Sequence, residues 1–206
     1  SIEFWQEAQA ALMVADIAVV VVDPEPDRAI VTAPLLHFLN EHDIPYIIFI
    51  NKMDTAATRV RDILSALQGV SSRPLVLRHV PIRAGEKVTG YVDLVSERAY
   101  VYKPGEPSAL IEIPDEMQNR ESEARQELLE ELSNYDDPLL EMLLEDTVPP
   151  KEDVYSYLAK DLAQNSVAPV FIGAAEHNNG VLRLMKALRH ETPDSAAALA
   201  RLSAEG

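Results

Sequence analysis

The sequence predicts an α/β fold in which a parallel sheet with helices is interrupted by an inserted α+β subdomain. Three short runs are apolar without alternation: residues 17–22, 45–50 and 167–172. Such runs are typical of parallel strands that are buried on both faces. Between them, residues 70–165 carry closely spaced extended segments followed by helices. We therefore predict one domain from residues 1–69 and 166–206, and an insertion from residues 70–165.

The first 69 residues predict alternating helices and strands. Phe4, Ala8 and Leu12 recur at helical spacing, and the β-branched run that follows them stops at Asp23. Gly69 suits the left-handed cap of the third helix. In chain order we predict helix, strand, helix, strand and helix over residues 3–15, 17–22, 28–41, 45–50 and 56–67. This order is typical of doubly wound folds.

The sequence of the insertion predicts a small sheet followed by helices. Gly, Pro and charged turns separate extended segments at residues 75–82, 88–95, 98–103 and 109–113. Their short spacing indicates an antiparallel meander. Helical patterns then cover residues 115–133, 138–145 and 150–164. The first pattern returns afterwards, with a strand at residues 167–173 and a helix at residues 180–189.

Composition excludes several classes of protein. The chain has 206 residues, a formal net charge of −16 and no cysteine. Without cysteine, disulfides, thiolate metal sites and a Cys nucleophile are excluded, and we expect a reducing, cytoplasmic location. The negative charge disfavours direct binding of nucleic acid. No apolar run reaches the roughly 18 residues that a transmembrane helix needs, so we expect no membrane partner.

The segment Asn51-Lys52-Met53-Asp54 follows an apolar strand directly, at the sheet edge where α/β proteins bind ligands. The Asp54 carboxylate can accept hydrogen bonds from N1–H and the 2-amino group of guanine, a donor pair that adenine lacks. The stem of Lys52 can cover the plane of the base, and the amide of Asn51 can tie loops together. The alternative is a plain polar turn in which Asp54 only caps the next helix.

A second candidate loop follows the run at residues 167–172. Gly173, Ala174 and Ala175 are small, so their backbone N–H groups can approach a ligand closely. The N–H of Ala175 could donate to the carbonyl oxygen of guanine. The alternative is a tight turn that only closes the strand.

These residues resemble bacterial elongation factor G and its close paralogues among translational GTPases. The similar segments are residues 44–54, 81–94, 169–175 and 179–181, and the resemblance spans nearly the whole chain. It implies that Asn51, Lys52 and Asp54 form the guanine-specificity motif and that Ala174 and Ala175 occupy the Ser-Ala pair of the final nucleotide motif. It also implies GTP or GDP as the ligand, the ribosome as the partner, and a surface on the insertion that faces the ribosomal stalk protein.

The part of the site that holds phosphate is not evident in the sequence. A phosphate loop needs Gly-x4-Gly-Lys-Ser/Thr, and this chain contains no such segment. In the resembled family that loop and the Mg²⁺ ligands precede the position of Ser1, which itself aligns with a catalytic histidine. The resemblance thus implies an incomplete P-loop-GTPase-like sheet, a fragment with no catalytic residue. We expect the isolated chain to bind GTP or GDP weakly at most and not to hydrolyse GTP.

Two departures from the family favour a paralogue over the housekeeping factor. This chain has Ser1 where the family has histidine, and Ala174 where the family usually has serine. No metal site is predicted, because His37, Glu41 and His42 do not have the spacing of a zinc motif.

Most of the negative charge lies in the insertion. Residues 112–146 hold thirteen acidic residues and two arginines, a net charge of −11. Their leucines predict an inner helix stripe: Leu128, Leu129, Leu132, Leu139, Leu140, Leu143 and Leu144. The acidic side chains then form a solvated outer face, or they recruit a basic partner. The competing hypothesis for the whole chain is therefore an acidic interaction module that binds a basic ribosomal protein without nucleotide chemistry.

Overall fold

The computed structural model describes residues 4–204, so the predicted alignment of Ser1 with a catalytic histidine lies outside the described residues. The strands are β1 (Ala18–Val22), β2 (Tyr46–Ile50), β3 (Leu75–Leu77), β4 (His79–Ala84), β5 (Lys87–Asp93), β6 (Arg98–Lys103), β7 (Glu106–Ile111) and β8 (Ala168–Ile172). The helices are α1 (Trp5–Met13), α2 (Ala29–Glu41), α3 (Val60–Gln68), α4 (Asp115–Ser133), α5 (Asp137–Leu144), α6 (Lys151–Ala163), α7 (Val181–Glu191) and α8 (Ser195–Ala204).

The strands form one parallel and one antiparallel sheet, which confirms the predicted α/β class. The parallel sheet has the order β1-β2-β8-β3, and the antiparallel sheet has the order β4-β5-β6-β7. The parallel sheet, with helices on both faces, has the doubly wound arrangement that the sequence predicts. The antiparallel sheet is the meander that the sequence predicts.

Helices cover both faces of the parallel sheet because its central strands are apolar on both sides. In β2, Ile48 and Ile50 pack into a core with α2 and α3. Ile47 and Phe49, which point to the opposite face, pack into a core with α6 and α7. All residues of β2 and β8 are buried, so a ligand can reach these two strands only through the loops at their ends.

The antiparallel sheet has a hydrophobic core of its own, built with α4, α5 and α6. Leu128, Leu129 and Leu132 are buried in it, as the helical spacing in α4 predicts. In α5 the predicted stripe is only partly correct, because Leu140 and Leu144 are exposed. Among residues 4–204, no helix is both long and apolar enough to cross a membrane.

The predicted strand at residues 75–82 is wrong as a single element. β3 joins the parallel sheet beside β8, whereas β4 joins the antiparallel sheet beside β5. The chain changes sheets at Arg78, whose N–H donates to the Val170 carbonyl at 2.9 Å and whose carbonyl accepts from Leu94 at 3.0 Å. Part of the range 70–165 therefore completes the parallel sheet.

Three further differences concern helices. Helix α3 begins at Val60 rather than near residue 56, because a short 3-10 helix (Met53–Thr55) and an extended link precede it. Gly69 caps α3 with φ −62°, so it is not left-handed as expected. Helix α8 was not predicted, since its alanine-rich sequence shows no apolar stripe.

Candidate functional site

The two candidate loops lie side by side because β2 and β8 are neighbours in the parallel sheet. Ile50 at the end of β2 pairs with Ile172 at the end of β8. Beyond these residues the backbone stays joined: the Gly173 N–H donates to the Ile50 carbonyl, and the Met53 N–H donates to the Gly173 carbonyl, each at 3.0 Å. The structure thus brings together two segments that are separated by about 120 residues in the sequence.

Asn51 connects three strand ends. Its N–H donates to the carbonyl of Val22, the last residue of β1, at 2.9 Å. Its side-chain Oδ1 accepts the N–H of Ala175 at 2.8 Å. This is the tie between loops that the sequence predicts for Asn51. The Ala175 N–H is therefore engaged, and it can reach a guanine carbonyl only when it is shared or when the Asn51 amide turns.

Lys52 has a strained backbone conformation, and its side chain contacts Asp23 just beyond the end of β1. Its φ is 58°, in the left-handed region that residues other than glycine seldom occupy. Its ammonium donates to Asp23 Oδ1 at 2.8 Å, while Arg28 donates to Asp23 Oδ2 at 3.0 Å. The hydrogen bond from Lys52 lowers the pKa of Asp23. Asp23 was not predicted as a site residue, although it follows β1 directly, as Asn51 follows β2.

Asp54 keeps its carboxylate available for a ligand. It lies in the 3-10 helix behind the buried Met53, and its side chain is 26% exposed. Among the described residues no side chain or amide donates a hydrogen bond to it, and His177 Nε2 lies 3.6 Å from its Oδ2. The alternative role of Asp54 as a helix cap is wrong, because the cap residues are Lys52 for the 3-10 helix and Arg59 for α3.

The second loop requires small residues at specific positions. A Cβ on Gly173 would lie 2.5 Å from the Phe49 ring and 2.5 Å from the Asn179 carbonyl oxygen. Gly180 has φ +79°, which favours glycine. Between them, Ala174 and Asn179 exchange two backbone hydrogen bonds at 2.9 and 3.0 Å. The loop is therefore closed on itself and presents Ala175 at its exposed turn.

Helix α7, which follows this loop, is anchored by buried charges. Arg78 forms two hydrogen bonds with Glu191, of 2.7 and 3.3 Å, and both side chains are at least 96% buried. Arg183 pairs with Asp93 and also donates to the Tyr155 hydroxyl at 2.9 Å. Burial opposes ionisation of Asp93, but its partners outweigh this effect and hold its pKa well below the usual range.

The donors and acceptors of the two loops match the edge of a guanine base. The Asp54 carboxylate can accept from the two guanine donors, and the nitrogen of the Asn51 amide can donate to a base acceptor. The apolar stem of Lys52 can lie beside Asn51 and Asp54 against the base. The ammonium group of Lys52 is paired with Asp23. Among residues 4–204, no cluster of three or more His, Asp or Glu could hold a metal ion.

Comparisons of the sequence with known proteins indicate one family. The family model of the elongation factor Tu GTP binding domain matches residues 1–194. An elongation factor G-like protein of Synechocystis sp. is 43% identical over 98% of this chain and 30% of its own length. Elongation factor G of Rhodopirellula baltica is 30% identical, over 93% of this chain and 28% of its own length. The mitochondrial elongation factor G of Drosophila grimshawi is 33% identical over 94% of this chain and 26% of its own length.

Solved structures give the same match at the level of the fold. A crystal structure of a protein from Thermus thermophilus superposes with a TM-score of 0.79 and 25% identity, covering 93% of this chain and 29% of that one. The chain thus spans less than a third of the length of each of these relatives.

Proposed function

Because the chain belongs to the family of elongation factor Tu GTP-binding domains, we propose that it supplies the guanine-recognition half of a GTP site in a longer elongation factor G-like protein. The observation that carries this proposal is the Asp54 carboxylate, which accepts no hydrogen bond among the described residues, has only His177 at 3.6 Å beside it, and follows Asn51 at the edge that the loop at residues 173–175 shares. The length of the relatives, more than three times that of this chain, supports the proposal that the chain is a fragment.

Specificity for guanine follows from the chemistry of Asp54. Hydrogen bonds to a charged group contribute about 1.5–3 kcal/mol each, so a matched pair of donors is strongly favoured. Adenine presents no such pair at this edge and would leave the carboxylate desolvated and unpaired. Lys52 and Asn51 would hold the base in place, with GTP or GDP as the ligand. The residues that hold phosphate and Mg²⁺ would belong to other parts of the longer protein.

The division of the chain is proposed in the same way, with one change. Residues 1–69 and 166–206 would form the nucleotide-binding part, and residues 70–165 the insertion. Since β3 (Leu75–Leu77) pairs with β8, we place the start of the insertion after Leu77. The whole protein would couple GTP to work on the ribosome. The test of guanine recognition is whether the full-length protein that contains this chain discriminates GDP from ADP.

A second role is proposed for the insertion, namely contact with a basic ribosomal protein such as the stalk protein. Its support is an acidic surface on α4 that adjoins apolar side chains exposed around α5: Leu140, Leu144 and Val148. An acidic rim accelerates association with a basic partner, and the exposed apolar groups give area that can be buried.

Charge reversal on α4 is expected to weaken capture of ribosomes by the full-length protein several-fold. The variant carries Glu127→Lys, Glu130→Lys and Glu131→Lys, and the retained ribosomes are measured by pull-down at low and high salt. The matched control reverses three exposed acidic residues outside the insertion: Glu7, Glu41 and Asp194. Equal loss in both variants would show a general charge effect and would remove the support for this surface.

A further inference from the structure

The far end of the loop that carries Ala174 and Ala175 is attached to the inserted sheet through the buried side chain of Asn179 and the backbone of Gly180. Asn179 is 3% exposed, and its Oδ1 accepts the N–H of Lys103 at 3.0 Å and the hydroxyl of Ser108 at 3.2 Å. The Ser108 hydroxyl in turn accepts the N–H of Gly180 at 3.3 Å. The hairpin of β6 and β7 therefore holds both residues at the end of this loop.

The same sheet also holds the segment that follows Asp54. Arg83, at the irregular pairing of β4 with β5, donates to the carbonyls of Ala56 at 3.3 Å and Thr58 at 2.5 Å. A third bond, to the Glu86 carbonyl at 2.7 Å, fixes the guanidinium against its own hairpin. Both candidate guanine loops thus rest on the insertion, although the insertion is separate from them in sequence.

We propose, on the premise that the chain recognises guanine, that the inserted antiparallel sheet sets the geometry of both guanine loops, with Asn179, Ser108 and Arg83 as positioning residues. None of the three would contact the base. Asn179 acts through its two backbone bonds to Ala174, which fix the neighbouring Ala175 N–H beside Asn51. Arg83 acts on the two carbonyls that follow the Asp54 turn.

This arrangement affects affinity because an unrestrained loop must be ordered when the ligand binds. Ordering costs free energy that is subtracted from the binding free energy, whereas a loop that is already held loses little. The start of the loop at residues 173–180 is held by β2 and Asn51, and backbone bonds close the loop on itself. Its far end, at Asn179 and Gly180, is held from outside by the hairpin of β6 and β7. The bonds from the insertion therefore contribute to nucleotide affinity without touching the nucleotide. By linkage, a partner that distorts the β6–β7 hairpin would change this affinity.

The first experiment removes one hydroxyl. Ser108→Ala in the full-length protein is expected to weaken GDP binding about fivefold and to speed GDP release, because two hydrogen bonds to the loop are lost. Ser108→Thr keeps the hydroxyl and should restore most of the lost affinity. The matched control is Ser156→Ala, since the Ser156 hydroxyl donates to the Glu152 carbonyl of its own helix and contacts neither guanine loop in the described part of the chain. Dissociation constants are measured with a fluorescent GDP analogue, and melting temperatures are measured in parallel.

Two further variants test the same claim at other bonds. Asn179→Ala is expected to weaken GDP binding about tenfold, and Arg83→Met about fivefold, since each removes contacts on one loop. If Asn179→Ala does not fold, Ser108→Ala and Arg83→Met still decide the question. The selectivity for guanine over adenine should persist in all three, because Asp54 is unchanged.

The proposal is overturned if Ser108→Ala and Arg83→Met bind and release GDP as the wild type does, or if their affinity falls only in proportion to their melting temperature. Failure of the premise has a different signature. If the wild-type protein does not prefer GDP to ADP, guanine recognition itself is refuted, and this inference is refuted with it. A wild type that prefers GDP, together with unaffected variants, refutes the positioning role alone.

Discussion

Replacing Asp54 by Asn is expected to change the preference of the full-length protein from guanine to xanthine nucleotides. The oxygen of the Asn amide can still accept from N1–H. Its nitrogen, however, is a donor that would face the 2-amino group of guanine, which is also a donor. Xanthine has a carbonyl at that position, to which the amide can donate. Loss of a charge-assisted bond and the unpaired donor together cost about 3–4 kcal/mol, so GDP affinity should fall on the order of 100-fold or more.

The measurement is competition of GDP and XDP for a fluorescent nucleotide on wild-type and variant protein. Asp62→Asn is a suitable control, since this exposed carboxylate on α3 lies outside the site and, among residues 4–204, pairs with Arg59 alone, at 3.3 Å. The control should keep the preference for GDP. An Asp54→Asn variant that still prefers GDP would show that Asp54 does not contact the base.

Replacing Arg78 by Met is expected to destabilise the fold by about 3–5 kcal/mol. Arg78 is 1% exposed and Glu191 is 4% exposed, so the substitution leaves a buried carboxylate without its partner. Because Glu191 is the last residue of α7, the damage should reach the helix that follows the nucleotide loop. Urea denaturation of the isolated chain, followed by the fluorescence of Trp5, the single tryptophan in these 206 residues, gives the free energy of unfolding.

A double variant separates loss of packing from the unpaired charge. Arg78→Met with Glu191→Met removes both charges, so it should recover much of the stability that the single variant loses. Arg59→Met is the matched control on the surface, where its exposed ion pair with Asp62 should contribute less than about 1 kcal/mol. Equal losses in the single and double variants would mean that the charge of Glu191 is tolerated without Arg78.

The sequence predicts those parts of the fold whose residues share one periodicity. β2 and β8 are continuously apolar because helices cover both faces of their sheet, and this pattern is visible in the order of the amino acids alone. The division of residues 75–82 between two sheets is not visible in the same way. In the sequence, the apolar residues 75–77 look like the start of a longer strand. The change of sheet is marked by the burial of Arg78 against Glu191, which lies 113 residues later.

The candidate site likewise has features that the sequence predicts and features that it does not. Asn51, Asp54 and the loop at residues 173–175 follow strands, so their convergence at one edge can be inferred from strand order. The contacts of Asp54 with His177, and of Asn179 with the β6–β7 hairpin, depend on tertiary packing over long sequence separations. No local pattern encodes them. The role of the insertion in holding the loops therefore emerges only from the structure.

Recognition of guanine by Asp54 through two donors is tested most directly by comparing GDP, IDP and ADP as competitors for one fluorescent nucleotide on the full-length protein. IDP lacks only the 2-amino group, so it should bind about tenfold more weakly than GDP through loss of one of the two bonds. ADP lacks both donors and should compete on the order of 100-fold more weakly or not at all. Equal competition by GDP and ADP would contradict guanine recognition by this chain.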